Sequence, residues 1–355
     1  MTGINGRHFL QIPGPTNVPD RVLRAIDNAT IDHRGPGFQK IGQEVLAGLK
    51  QVFKTKSPVI IFPASGTGAW EAALVNTLSA GDRVLMCETG HFATLWHTMA
   101  QKLGLVPEFI AGDWRHGADP AAIEARLAVD TISSLGSIDY RHDEWGVDVT
   151  VGGSQKGLML PPGLSFNALG EKALSVGKNS KLPKSFWGWD EMIASNKTGF
   201  FPYTPATNML YALGEAIDML HEEGLENVFA RHDRHAEATR RATRAWGLEI
   251  LCKEPRHYSS SLTALMMPAG HDADNFRKVA LEHFDVSLGT GLSKVAGKVF
   301  RIGHLGDTND LTIIGALAGV EMGLGLAGVP HRKGGVQAAM DYFAAAASPA
   351  KAAAE

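Results

Sequence analysis

The chain is predicted to fold as an α/β protein, with a large domain built on a mainly parallel sheet flanked by helices and a smaller C-terminal α/β domain. Three observations carry this. Short apolar runs at 59–62 and 84–87 are each followed by a loop rich in Gly, Ser or Thr and then by a helix-forming run, the order that builds parallel sheets. At 355 residues and 44% hydrophobic content, the chain is too long for one ordinary core. Near residue 247 the texture changes from long helical runs to short strands and helices.

Taken in order, residues 1–19 read as an N-terminal arm, because Pro13, Pro15 and Pro19 exclude a helix. Residues 20–29 and 38–53 are predicted helices. In the second, Ile41, Val45, Leu46, Leu49 and Phe53 recur at helical spacing. A strand at 59–62, a loop at 64–68 and a helix at 69–78 follow. A strand at 84–87, a loop at 88–92 and a further helix come next. Residues 119–128 are predicted helical, with Pro120 near the start. They run straight into Val129-Asp130-Thr131, although a buried strand ending in Asp130 needs a longer apolar lead than Leu127, Ala128 and Val129. Strands are expected at 147–151 and 164–168, and residues 208–246 as one long helix or a pair. These close a large domain at 20–246. A small domain covers 247–342, and the Ala-rich tail at 343–355 is expected to fray.

Composition narrows the function. The formal net charge is −3 and no basic stripe appears, so a nucleic-acid partner is not expected. No apolar run of about 20 residues marks a membrane span, and the N-terminus carries no secretory pattern. A cytoplasmic location is the expectation. Cys87 and Cys252 are far apart, which predicts neither a disulfide framework nor a metal site.

Several residues stand out chemically. Ser65-Gly66-Thr67-Gly68 lies between a strand and a helix, where backbone N–H groups and the helix dipole suit an anion; taken alone it reads first as a plain N-cap. Lys156 follows a buried strand among small residues. An amine in a partly dry site has a lowered pKa and attacks aldehydes, although an exposed loop Lys is the commoner fate. Asp130 lies 26 residues earlier and reads either as a buried carboxylate or as a turn cap. Phe92, after Gly90-His91, is a stacking ring or a core side chain. Arg301, in Val-Phe-Arg-Ile-Gly, offers a fork for a carboxylate or sits on a half-exposed strand. Cys87 and Cys252 read as structural thiols, which disfavours a desulfurase-type lyase.

These features occur in an order that resembles the class V aminotransferases of fold type I, which use pyridoxal 5'-phosphate (PLP), and within them the serine–glyoxylate and alanine–glyoxylate groups. The resemblance rests on Ile12-Pro13-Gly14-Pro15-Thr16-Asn17-Val18-Pro19, Ser65-Gly66-Thr67-Gly68-Ala69-Trp70-Glu71, Gly90-His91-Phe92, Val129-Asp130-Thr131-Ile132-Ser133-Ser134-Leu135-Gly136, Gly153-Ser154-Gln155-Lys156-Gly157, Pro161-Pro162-Gly163 and Phe300-Arg301-Ile302-Gly303. It implies that Lys156 holds the cofactor through its amine and moves the substrate Cα proton. Asp130 would pair with the pyridine nitrogen, and Phe92 would stack on the ring. Ser65, Gly66, Thr67 and Gln155 would hold the phosphate, with Tyr203 and Thr204 reaching it across a homodimer interface. Arg301 would bind the substrate carboxylate beside Gly14. Amino acids and 2-oxo acids are then the partners, with L-serine the expected donor to glyoxylate and alanine the alternative.

One departure is evident. The family carries a strand, a loop of the type His-x-Glu-Ser/Thr-Ser/Thr-x-Gly and a helix before the strand that ends in the Asp. Between Ala128 and Val129 this chain has no such βαβ-sized piece, roughly 30 or more residues. A non-catalytic homologue disabled by that deletion is therefore the competing expectation.

Overall fold

The computed structural model describes residues 6–118 and 128–347. They divide into two compact units: an N-terminal unit at Asn17–Val228, and a C-terminal unit that joins Met1–Thr16 to Phe229–Glu355. The expected boundary at 246/247 and the separate arm at 1–19 differ from this division. β1 (Phe9–Gln11) explains the arm: it pairs in parallel with residues 286–288, which satisfies its backbone groups within the C-terminal unit.

The N-terminal unit begins with α1 (Asp20–Ile26) and α2 (Pro36–Val52), the latter started by a proline in its first turn. β2 (Val59–Phe62) leads into α3 (Gly66–Thr77), then β3 (Arg83–Cys87), α4 (His91–Lys102) and β4 (Val106–Ile110). After residues 119–127, where the expected helix at 119–128 lies outside the described residues apart from Ala128, come β5 (Ala128–Asp130), β6 (Val149–Gly153) and β7 (Ser165–Leu169). α5 (Glu171–Gly177), α6 (Trp189–Asn196) and α7 (Thr207–Glu223) follow, and α8 (Leu225–Trp246) carries the chain onward.

The strands of this unit form a four-stranded sheet in the order β2-β7-β6-β5 and a separate two-stranded sheet, β3-β4. β5 is parallel to β6 and β3 to β4, but β7 runs antiparallel to both β6 and β2. The sheet is therefore mixed rather than mainly parallel. The reason is local: residues 154–164 join β6 to β7 with no helix, and parallel neighbours need a crossover. β2 shows how a continuous apolar run arises: Val59 and Ile61 enter the core shared with α2 and α7, while Ile60 and Phe62 enter the one shared with α3. Both faces are covered, so alternation is lost.

In the C-terminal unit, β8 (Leu262–Met266), α9 (Ala273–Phe284), β9 (Val286–Thr290) and β10 (Val299–Gly303) precede α10 (Asp310–Leu326) and α11 (Gly335–Ala346). The sheet order is β1-β9-β10-β8. α11 runs through the start of the Ala-rich tail, because Phe343 is buried and anchors it. No helix among the described residues is long and apolar enough to cross a membrane.

Candidate active site

Ile132 is the hinge of the site in the N-terminal unit. A Cβ placed on Gly66, the first residue of α3, would lie 2.1 Å from Ile132 Cδ1, and one placed on Gly153 would lie 3.4 Å from Ile132 Cγ2 and 3.1 Å from Gln155 Oε1. At Gly66 only glycine allows this approach of α3 to the Asp130 turn, and at Gly153 a side chain would crowd Gln155. The Ser65–Thr67 loop, Asp130 and Gln155 are thereby gathered around one point.

Asp130 is held at both oxygens. The Ile132 N–H donates to Oδ1 at 2.8 Å and the Trp70 indole donates to Oδ2 at 3.1 Å. Surrounding protein raises its pKa above the usual carboxylate range, opposed by these two donors and by the charge of Lys156. The residue nevertheless keeps an exposed face. A carboxylate in that state is stabilised by an arriving cation. Lys156 is half-buried in the turn after β6, where its carbonyl accepts from Met159 N at 3.0 Å. The turn is tight: a Cβ on Gly157 would sit 2.2 Å from Leu135 O.

Phe92 is 50% exposed and meets Trp70 edge-on, with ring centroids 6.2 Å apart; the core alternative for it fails. Ser65 occupies the N-cap of α3 but its side chain makes no capping bond, and Thr67 is exposed, so both hydroxyls are available to a ligand. Gln155 Oε1 is buried without a hydrogen-bond partner, a demand that a bound polar group would meet. The arrangement fits PLP: a loop at a helix N-terminus for phosphate, an anchored carboxylate for a ring nitrogen, an aromatic face and an amine.

Tyr203 and Thr204 stand elsewhere in the same unit. The Tyr203 hydroxyl donates to Ser185 O at 2.9 Å and its ring stacks on Phe186. Both residues line an apolar pocket with Ile61, Pro63, Leu164 and Phe201. Sequence reasoning gave no role to Trp70 and Ile132. A buried Trp four residues after Gly66 was the available signal for the first, because its indole N–H needs an acceptor.

In the C-terminal unit, Arg301 of β10 donates from Nε to Thr290 O at 2.8 Å, and no carboxylate pairs with it among the described residues. Burial, aided by the charge of Arg277, lowers its pKa, yet a guanidinium stays protonated. The arm runs beside it: a Cβ on Gly289 would meet Pro13 Cδ at 2.6 Å and Arg301 Cβ at 3.0 Å. Gly14, next along, has φ 118°, a left-handed conformation open to glycine. The remaining guanidinium donors have the geometry that pairs with a carboxylate.

The aminotransferase class-V profile matches residues 119–304. The chain is 42% identical to a serine–glyoxylate aminotransferase of Methylorubrum extorquens over 387 residues, covering 95% of this chain and 96% of that protein. It is 40% identical to an L-aspartate–glyoxylate aminotransferase of Paracoccus denitrificans, over 94% of this chain and 95% of that one. Its fold is similar to that of the pyridoxamine–pyruvate aminotransferase of Mesorhizobium loti, with a TM-score of 0.89, 24% identity and coverage of 96% and 98%.

Proposed function

The chain belongs to the class-V aminotransferases, and from that premise we propose that it is a PLP-dependent enzyme moving the amino group of L-serine to glyoxylate, giving hydroxypyruvate and glycine. The observation that carries the reading is Asp130, anchored by Trp70 and Ile132 and raised in pKa so that it favours a cationic partner.

Bound in this cleft, PLP supplies an electron-accepting pyridine ring and a reactive aldehyde carbon. Asp130 keeps a proton on the ring nitrogen. Ser65, the N–H groups of Gly66 and Thr67, and Gln155 hold the phosphate, and Phe92 covers a ring face. Lys156 Nζ takes and returns the proton at the substrate Cα. Arg301 binds the substrate carboxylate bidentately, with the backbone at Gly14 beside it. Tyr203 and Thr204 are assigned to the phosphate of a second subunit, which makes the working enzyme a homodimer. The exposure of Thr204 supports that assignment.

The test is the absorption spectrum of the purified protein with PLP, beside Lys156→Ala. A long-wavelength band in the parent, absent in the variant, bleached by serine and restored by glyoxylate, is the expected result. Bleaching by alanine or aspartate in preference to serine would overturn the donor assignment. A folded parent without a band would overturn the activity.

A further inference from the structure

The arm passes Arg301 by running over three glycines of the C-terminal unit. A Cβ on Gly289 would lie 2.6 Å from Pro13 Cδ, one on Gly303 would lie 2.2 Å from Ile12 O, and one on Gly306 would lie 3.0 Å from Thr16 Cβ. Gly289 and Gly303 belong to β9 and β10, and strand pairing fixes both: Gly289 lies opposite Arg301 and Gly303 opposite Leu262. Gly306 lies past the end of β10, in the loop that leads to α10. Its φ of 87° is left-handed, so it does not continue the strand. Its place must be set by something other than the sheet.

That support comes from α8. His232 is buried, and its Nε2 accepts from the Gly306 N–H at 3.0 Å. Arg231 Nη1 donates to Gly306 O at 2.9 Å and to Thr308 O at 3.0 Å. One turn further along the helix, His235 Nε2 donates to Asp310 Oδ1 at 3.1 Å, and its Nδ1 accepts from the Thr308 hydroxyl at 3.3 Å. Arg234 Nη2 pairs with the same Asp310 oxygen at 2.8 Å. One face of α8 thus grips residues 306–310, and the buried imidazole of His232 supplies the acceptor that the buried Gly306 N–H requires. Thr16, buried as well, rests on that glycine.

We propose that His232 is a positioning residue for carboxylate binding: by fixing Gly306 it seats Thr16, and so holds the arm with Gly14 beside Arg301. His232 touches no substrate. It acts through a backbone N–H, a glycine with no Cβ and the side chain packed on it, and a small displacement along this chain is enough to misplace the backbone at Gly14. That the carboxylate belongs to an amino acid or a 2-oxo acid rests on the aminotransferase reading; the grip of α8 on the loop and the arm does not.

The test compares His232→Leu, which removes the acceptor, with His232→Gln, whose side-chain oxygen can replace it. With PLP bound, His232→Leu should raise KM for both L-serine and glyoxylate about tenfold. Its kcat should stay within about twofold of the parent's, and its PLP absorption band should be unchanged. His232→Gln should recover most of the KM. Hydrogen exchange read by mass spectrometry gives a measure independent of activity: peptides spanning 10–17 and 304–310 should exchange at least about tenfold faster in His232→Leu, while β8 in the same unit should not change. Thr16→Ala, which trims the arm itself, should raise KM in the same way and serves if His232→Leu does not fold. Parent KM values in both variants would overturn the positioning role, and so would β8 accelerating as much as the loop. Faster exchange of the arm and loop, with no PLP band in the parent, would uphold the grip of α8 and overturn the aminotransferase reading instead.

Discussion

β6 and β7 bury every residue, whereas β3, β4 and β5 bury none completely. The five strands belong to the same unit and four of them are equally long. What separates them is company. β6 and β7 each have a strand on both sides and a covered layer on both faces, so their side chains and backbone groups are withdrawn from water together. Among the described residues the others each have a strand on one side only, with Leu85, Val106 and Ile110 from 43% to 50% exposed. Stability and catalytic preorganisation should divide along the same line.

The largest expected effect is in the well-packed half. Phe166→Ala removes a fully buried ring that packs edge-on against Phe53, and should cost about 3–5 kcal/mol, read from urea unfolding. Ile110→Ala in β4 should cost about 0.5 kcal/mol or less, in the range of surface changes. Equal losses would break the comparison.

A smaller contrast comes from glycine. Gly157→Ala drives a methyl into Leu135 O, so a shift of the Lys156 turn is required; a loss of about 1–3 kcal/mol and weaker PLP binding are expected. Gly90→Ala meets nothing within 4 Å and its φ of 167° suits any residue, so unfolding should be unchanged within about 0.5 kcal/mol.

The smallest effect concerns pH, and its sign differs between the halves. His142, bonded to Thr150 of β6 at 2.7 Å, is held below its ordinary 6.5 chiefly by burial. Its contribution is whole above 6.5 and is lost as pH falls toward the folded value. Asp130 at the edge of β5 lies above its ordinary 3.8, again chiefly through burial. Its contribution is whole below 3.8 and is lost as pH rises through the folded value. Thermal unfolding of the cofactor-free protein against pH should therefore show His142→Asn losing less toward acid than the parent. Asp130→Asn should be the more stable protein near neutral pH, and inactive. An Asp130→Asn variant less stable than the parent at neutral pH would show that the carboxylate is not strained by its surroundings.

Much of this was legible in the chain. β2, α2 and β6 were readable because each has a run or a period that burial requires. Ser65, Asp130, Gln155 and Lys156 were picked out by their motifs, and the close approach of Gly66 and Gly153 to Ile132 brings their segments near one another. β4 escaped because Pro107 and Glu108 interrupt its apolar run, which an edge strand tolerates. The antiparallel setting of β7 escaped because direction depends on what joins two strands. Tyr203 and Thr204 line an apolar pocket with Ile61 and Phe201, a setting their motif did not indicate.

The sequence by itself determined the α/β class, the order of most elements and the residue types available for PLP chemistry, because periodicity, turn residues and loop composition act locally. Only the tertiary structure decided that Trp70 and Ile132 anchor Asp130, that the four-stranded sheet is mixed, and that β3 and β4 pair in a sheet of their own. Those are pairings between residues distant in the chain, and backbone hydrogen bonding and close packing settle them only once the whole unit is assembled.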